Sequence, residues 1–346
     1  MKIIKEVINF SIFVVLTLVS IYLLDRLFIP KWLTNNDNSH SYITRGFYAE
    51  KENSLDIIFM GNSDTYRGIS PIILWEKYNI TAYNYVSSGQ RMWTGYYMLE
   101  EALKTQKPKV IFFNVDGLFS DNQSSMANYQ KVFDNMKFSK NKLNAINDPA
   151  FDFSSGNKVA LIFPIISYHS RYNELTKDDF KYALSDYHNA YKGLDMITTS
   201  IAYNDNYIYN SEERTPINPK VLKYLDKMVR RCKEENIILE FFWIPSPDSW
   251  TREKTNTISD YAEQHQIPYN DLNINYEEFG LNFKTDSSDG GDHLNVYGAE
   301  KVANYIGEYI NNKYNFNKHS EDVINTWNKD LEIYYKAKEE LELNEH

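Results

Sequence analysis

Two short blocks far apart in the chain carry residue types that can do acyl chemistry. The first is GNSD, residues 61–64, where Ser63 follows an apolar run that starts at Leu55. The second is DSSDGGDHLNVYG, residues 286–298, where His293 stands in an acidic, glycine-rich loop. A serine hydroxyl becomes a nucleophile when a base of suitable pKa takes its proton, and a histidine base needs an acceptor on its other ring nitrogen to fix the tautomer. Asp289 and Asp292 both offer one. Consecutive residues in an extended chain point apart, which handicaps Asp292, whereas a turn through Gly290 and Gly291 brings Asp289 back toward the ring. Each block alone has a plainer reading, Ser63 as a helix N-cap after a strand and His293 as a solvent-facing loop residue.

The elements that must position these groups follow from hydrophobic periodicity. Apolar runs at 55–61, 82–87, 109–115 and 237–244 read as strands, and the segments between them carry apolar residues at helical spacing, as Leu222, Leu225 and Val229 do after Pro219. That alternation predicts an α/β domain with a buried, mostly parallel sheet and crossover helices. A serine at a strand end that opens a helix then lies at the carboxyl edge of the sheet, where open α/β folds bind ligands. There its own N–H is ready to donate to an oxyanion.

The alternation stops between residues 118 and 216, which predicts an insert capping the substrate side of one α/β domain over 55–316. The last segment, 317–346, reads as a helix. Val323, Trp327, Leu331 and Tyr334 or Tyr335 form its apolar stripe, and Glu321 and Asp322 favour its N-terminus. At the other end Lys2 and Lys5 precede an apolar stretch, 7–24, about long enough to cross a bilayer. Its polar points Asn9, Ser11, Thr17 and Ser20 are scattered around the helix and no small-x-small cleavage pattern is evident. The expectation is an uncleaved anchor over 1–30, a linker over 31–54 and a domain facing outward.

Composition excludes several classes. A formal net charge of -10 without a Lys/Arg block removes the basic footprint of a nucleic-acid binder. The single Cys232 rules out an intramolecular disulfide framework and a cysteine zinc cluster. Asp286, Asp289 and Asp292 recur at spacing three but lack the pattern of an EF-hand loop, and no phosphate-binding glycine loop is present, so neither metal nor cofactor is expected.

In order and content these blocks resemble the SGNH (GDSL-like) hydrolase superfamily, over most of residues 55–311. The resemblance implies a three-layer, flavodoxin-like parallel sheet with helices on both faces. It implies Ser63 as nucleophile and His293 as base, with Asp289 or Asp292 completing the triad. Oxyanion donors are implied at Ser63 and at Gly89 in YNYVSSGQ. Where the family carries an asparagine amide, this chain has NVDG, which leaves Asn114 as the candidate and Asp116 as an acceptor in place of a donor. Asn62 also departs from the family's usual Asp, and Gly290 from the Asp expected three before His293.

The layout of 61–90 is similar to the membrane-anchored DltD-like subgroup associated with polysaccharide O-acetylation in bacterial envelopes. That likeness implies transfer or removal of acetyl or D-alanyl groups on a cell-surface polysaccharide or teichoic acid, beside an MBOAT-type membrane acyltransferase. His169 and Arg171 in FPIISYHSRYNELTKDDF are candidates for substrate contacts or for structural roles. The unclear third block keeps two alternatives open. One is a catalytically weak SGNH-fold scaffold that recruits polymer or acyltransferase, and the other is a generic secreted-side carboxylesterase or lipase.

Overall fold

The computed structural model describes residues 2–33, 40–205, 207 and 209–344. The apolar runs become β1 (Ile57–Met60), β2 (Ala82–Asn84), β3 (Val110–Asn114) and β4 (Ile238–Trp243), joined by β5 (Tyr269–Asp271). All pair in parallel in the order β2-β1-β3-β4-β5. Every residue of β1 and β3 is buried, which is why both read as unbroken apolar runs rather than alternating ones. β5 was not legible, being three residues long, half-buried and at the sheet edge.

Helices Pro71–Tyr78, Met92–Ala102, Pro219–Glu234 and Val296–Lys313 flank the sheet, giving the expected α/β class. A further helix, Arg252–His265, has a mostly polar sequence with few buried positions and gave little periodic signal. In this strand order the chain runs from β1 outward to β2 and then crosses back to β3. The carboxyl ends of β1 and β3 therefore flank the point where the winding reverses, the usual place for a ligand crevice.

Two expectations need correction. The linker drawn over 31–54 is folded from residue 40 on: Ser41–Phe47 is a helix that buries Tyr42, Ile43 and Phe47. Phe47 stacks on Tyr85 at 4.0 Å, and the Tyr83 hydroxyl donates to the Ile43 carbonyl at 2.7 Å. Three core residues in so short a segment leave no periodic pattern. Residues 34–39 of that linker lie outside the described residues.

The insert at 118–216 also does more than cap. Helices Ile165–Tyr168 and Lys177–Lys181, with the 3-10 turn His169–Asn173 between them, pack against the end of the N-terminal helix. Arg171 Nη1 donates to the Phe28 carbonyl at 2.5 Å, Arg26 Nε to the Ala183 carbonyl at 2.8 Å, and the Ile165 N–H to Asp25 Oδ1 at 2.7 Å. The later part borders the sheet edge instead. Asn84 N–H donates to Lys192 O at 2.9 Å, Asp195 N–H to Tyr66 O at 2.8 Å, and Ile201 N–H to Ser287 O at 2.9 Å.

The N-terminal helix, Lys2–Phe28, is long and apolar enough to cross a membrane, and none of its residues is buried by the rest of the chain. The C-terminal helix, Glu321–Asn344, buries Val323, Trp327 and Tyr334 as the stripe predicts. It also buries Asp330, whose carboxylate meets Lys192 Nζ at 2.8 Å and His188 Nε2 at 2.7 Å. Lys192 is fully buried, bridges on to Glu50 at 2.8 Å, and lies 4.6 Å from the centre of the Trp327 ring. Removing one partner of a buried ion pair leaves the other charge uncompensated, at a cost of about 3–5 kcal/mol. Lys192→Ala should therefore lower the unfolding free energy of the full chain in detergent by that order, from urea titration followed by Trp fluorescence; a value within error of wild type would contradict this.

Candidate active site

The first block is shaped by a close approach. Gly61 leaves β1 at φ +148°, and a Cβ there would come within 2.7 Å of Asn114 Cβ and 2.5 Å of Thr65 Oγ1. Only glycine lets the chain exit hard against the end of β3. Asn62 then caps helix Ser63–Gly68, its Oδ1 accepting from the Asp64 N–H at 3.2 Å. The Asn62 amide nitrogen donates to Asp116 Oδ2 at 2.5 Å, tying this turn to the segment after β3. The cap is thus Asn62, and Ser63 is the first helical residue. Its half-buried hydroxyl is spared for other work and interacts with the Tyr66 phenol. Among the described residues, the N–H groups of Ser63 and Gly89 find no acceptor.

The second block folds as a turn before helix Val296–Lys313, whose cap is Asn295, accepting from the Gly298 N–H at 3.1 Å. A bridge between Ser287 and Leu294 closes the loop. Gly290 and Gly291 both have positive φ, +86° and +111°, and the Tyr203 ring fills the space a Gly291 side chain would need. This turn carries Asp289 back: its Oδ2 lies 2.6 Å from His293 Nδ1 and its Oδ1 accepts the His293 backbone N–H at 2.7 Å. Asp292 Oδ2 is also near, at 3.2 Å from the same nitrogen. Asp289 makes the shorter contact to the ring, and its second oxygen is seated on the His293 backbone N–H, so it is the better placed of the two to orient the imidazole.

Behind Asp289 stands Arg67, with Nη1 at 3.5 Å from its carboxylate and Nε donating to Asp195 Oδ2 at 3.0 Å. Asp195 also meets His40 Nε2 at 3.0 Å and receives the Tyr42 hydroxyl at 3.3 Å. Arg67 lies four residues after Ser63, so one short helix presents the hydroxyl and the support of the base on neighbouring turns. No motif marked Arg67 or Asp195 beforehand. Helical spacing from Ser63 was the one signal for Arg67, and Asp195 had none.

Burial alone would depress the His293 pKa. The Asp289 hydrogen bond and the charges of Asp64, Asp292 and Asp289 outweigh it and raise the value above that of free histidine. Burial likewise opposes ionisation of Asp289, but the ring and backbone N–H of His293, with the charges of His293 and Arg67, hold it below the usual carboxylate range. Asp64 and Asp116 go the other way. Both are pushed up, chiefly by burial, and the Asp116 charge adds to the effect on Asp64.

The other sequence candidates fall in different places. Gly89 sits at φ +56° in the turn after β2, its carbonyl accepting from Ser124 Oγ at 2.9 Å and Arg91 Nη1 at 3.1 Å. Asn114 is buried behind Gly61, its Oδ1 accepting from the Asp116 N–H at 3.4 Å and its Nδ2 without a partner. Arg171 is committed to Phe28 and Asp179 at the N-terminal helix, and His169 Nδ1 lies 3.0 Å from the Ile166 carbonyl, so neither belongs to this site. Asp286 is drawn away to Lys301 Nζ at 2.7 Å, so the three aspartates at spacing three do not converge. Donor atoms of Asp64, Asp292 and His293 do lie within 4.8 Å of one another. Among the described residues no hydrogen bond joins Ser63 to His293.

No protein-family model and no curated protein matches the chain. Among solved structures, it is similar to a protein from Bacteroides fragilis described as a candidate acylhydrolase, at 12% identity, TM-score 0.37 and coverage of 82% of this chain and 98% of that one. It is also similar to a GDSL-like lipase from Bacteroides thetaiotaomicron, at 11% identity, TM-score 0.37 and coverage of 80% and 98%. Likeness of this degree says nothing about the chemistry of the site.

The electrostatics of His293 can be read directly. Diethyl pyrocarbonate modifies neutral imidazole, so the pH of half-maximal modification at His293, followed by mass spectrometry, should lie above 6.5. Asp289→Asn should move it down, because the charge-assisted bond that favours the imidazolium is lost. An unmoved or higher midpoint would show that Asp289 does not hold the ring.

Proposed function

We propose that this chain is an SGNH-type serine esterase or acyltransferase, held at a bacterial cell membrane by its N-terminal helix with the domain outside. It would act on small O-acyl groups, acetyl or D-alanyl, of a surface polysaccharide or teichoic acid, alongside an MBOAT-type acyltransferase. The observation that carries the enzymatic part is the imidazole of His293, fixed through Nδ1 by Asp289 and Arg67, at the loop cluster where Ser63 offers an uncapped hydroxyl. The envelope polymer and the membrane partner rest on the layout of residues 61–90.

In this reading Ser63 Oγ exchanges Tyr66 for His293 and attacks the acyl carbonyl while Nε2 takes its proton. The N–H groups of Ser63 and Gly89 receive the oxyanion. Collapse of the tetrahedral adduct breaks the bond to the leaving alcohol, which takes the proton back from His293 and leaves an acyl ester on Ser63. Water or a polymer hydroxyl, deprotonated by the same imidazole, then releases the acyl group. The carboxylates of Asp289 and Asp292 disfavour an anionic reacting group, which agrees with a neutral or amine-bearing acyl ester.

A second reading, the catalytically weak scaffold, is favoured by the Asn114 amide being shut behind Gly61. One missing oxyanion donor costs roughly 3 kcal/mol, on the order of a hundredfold in rate. The two readings part at Ser63. A serine-reactive fluorophosphonate should label the full chain at Ser63, more slowly as pH falls through the His293 pKa because attack needs neutral imidazole. Ser63→Ala should abolish labelling and His293→Ala should reduce it at least a hundredfold. Absence of labelling, with full cellular function of Ser63→Ala, would leave the scaffold.

A further inference from the structure

Where the insert meets the N-terminal helix there is a cleft of about 560 Å³. One wall is apolar and includes Leu18, Ile21 and Tyr22 of the helix with Phe138, Phe163 and Leu184 of the insert. Leu184 is 68% exposed and Phe138 63%, unusual for large apolar groups placed together on one rim. The other wall is charged, with Asp25, Asp134 and Lys142 among its residues.

Lys142 is the informative one. Its side chain is 3% exposed, yet among the described residues its ammonium makes no hydrogen bond and no ion pair within 4 Å. Burial pushes its pKa down to about 8, against the opposing charges of Asp134, Asp25 and Glu101. Asp134, 4% exposed, takes the Tyr168 hydroxyl on Oδ2 at 2.7 Å, while its Oδ1 is buried with no partner. The Lys142 ammonium, bonded to no other described group, and a buried, unpartnered oxygen of Asp134 line one cleft without bonding each other. Buried polar groups are nearly always satisfied, and a ligand that brings a donor to Asp134 Oδ1 and an anion to Lys142 would satisfy both.

We propose that the cleft binds one phospholipid, its phosphodiester at Lys142, a headgroup hydroxyl or ammonium at Asp134, and its acyl chains along Leu18, Ile21 and Tyr22. The amphipathic lining matches a molecule with one anionic end and a long apolar one. The volume holds a headgroup and the first part of the chains, and the rest lies along the unburied face of the N-terminal helix. The geometry of entry follows from position: residues 18–25 are the last turns of the segment long enough to cross the bilayer, so the cleft opens at the headgroup level. This rests on the reading of Lys2–Phe28 as a span.

The test uses the full chain, purified in detergent, stripped of lipid, and examined by native mass spectrometry with palmitoyl-oleoyl phosphatidylglycerol, phosphatidylethanolamine or the matching diacylglycerol. Both phospholipids should be retained as a one-to-one adduct and the diacylglycerol should not. Lys142→Met should cut retention at least tenfold, and Lys329→Met, on the exposed face of the C-terminal helix, should leave it unchanged. If Lys142→Met does not fold, Leu184→Asp, an exposed position at the mouth, should cause the same loss. Equal retention of diacylglycerol, or undiminished retention by the folded cleft variant, overturns the proposal. Carbonate washing of membranes separates the two premises: a resistant chain that retains no phospholipid overturns the lipid site alone, whereas an extractable chain overturns the span and the site together.

Discussion

The contact between Gly61 and Asn114 sets the direction in which the chain leaves β1. With no side chain at Gly61, the turn after β1 lies against the end of β3, and the Asn62 amide can reach Asp116 while its oxygen caps the next helix. The helix that begins at Ser63 is therefore fixed at both its cap and its neighbour strand, over only six residues. Ser63, Asp64 and Arg67 inherit their positions from that one constraint. A methyl group at residue 61 would separate β1 from β3 at the point where the sheet reverses its winding, and all three side chains would shift together.

Charge gives the site its character. Four carboxylates, Asp64, Asp116, Asp289 and Asp292, act on one imidazole or on each other, with Arg67 and, for Asp116, Lys254 and Arg91 opposing them. Asp289, Asp64 and Asp292 all favour the positive form of His293. The two that are buried, Asp64 and Asp116, are pushed toward their neutral forms chiefly by burial, and the Asp116 charge adds to the effect on Asp64.

The sheet was legible because fully buried parallel strands cannot hide their composition: four of the five strands announce themselves as apolar runs. β5 and helix Arg252–His265 escaped because an edge strand of three residues and a largely polar helix owe their form to neighbours rather than to local pattern. The site divides in the same way. Ser63, and Asp289 with His293 through the Gly290–Gly291 turn, could be read because local chain geometry dictates them. Arg67 with Asp195 and Asn62 with Asp116 are pairings across 128 and 54 residues, and spacing along the chain carries no trace of them. The helix at Ser41–Phe47, taken as linker, fails for the same reason, since only its packing on Tyr83 and Tyr85 reveals it.

That helix changes how the base is held. Asp195 meets His40 and Tyr42 on one side and Arg67 on the other, and Arg67 reaches Asp289, which fixes His293. The segment that follows the N-terminal helix is therefore bonded, through two carboxylates and one guanidinium, to the orientation of the imidazole. Asp195 is buried and Arg67 mostly so, and each depends on its partner to offset desolvation. The N-terminal segment is part of what builds the site, and the geometry around His293 belongs to the chain from residue 40 onward rather than to an α/β domain starting at β1.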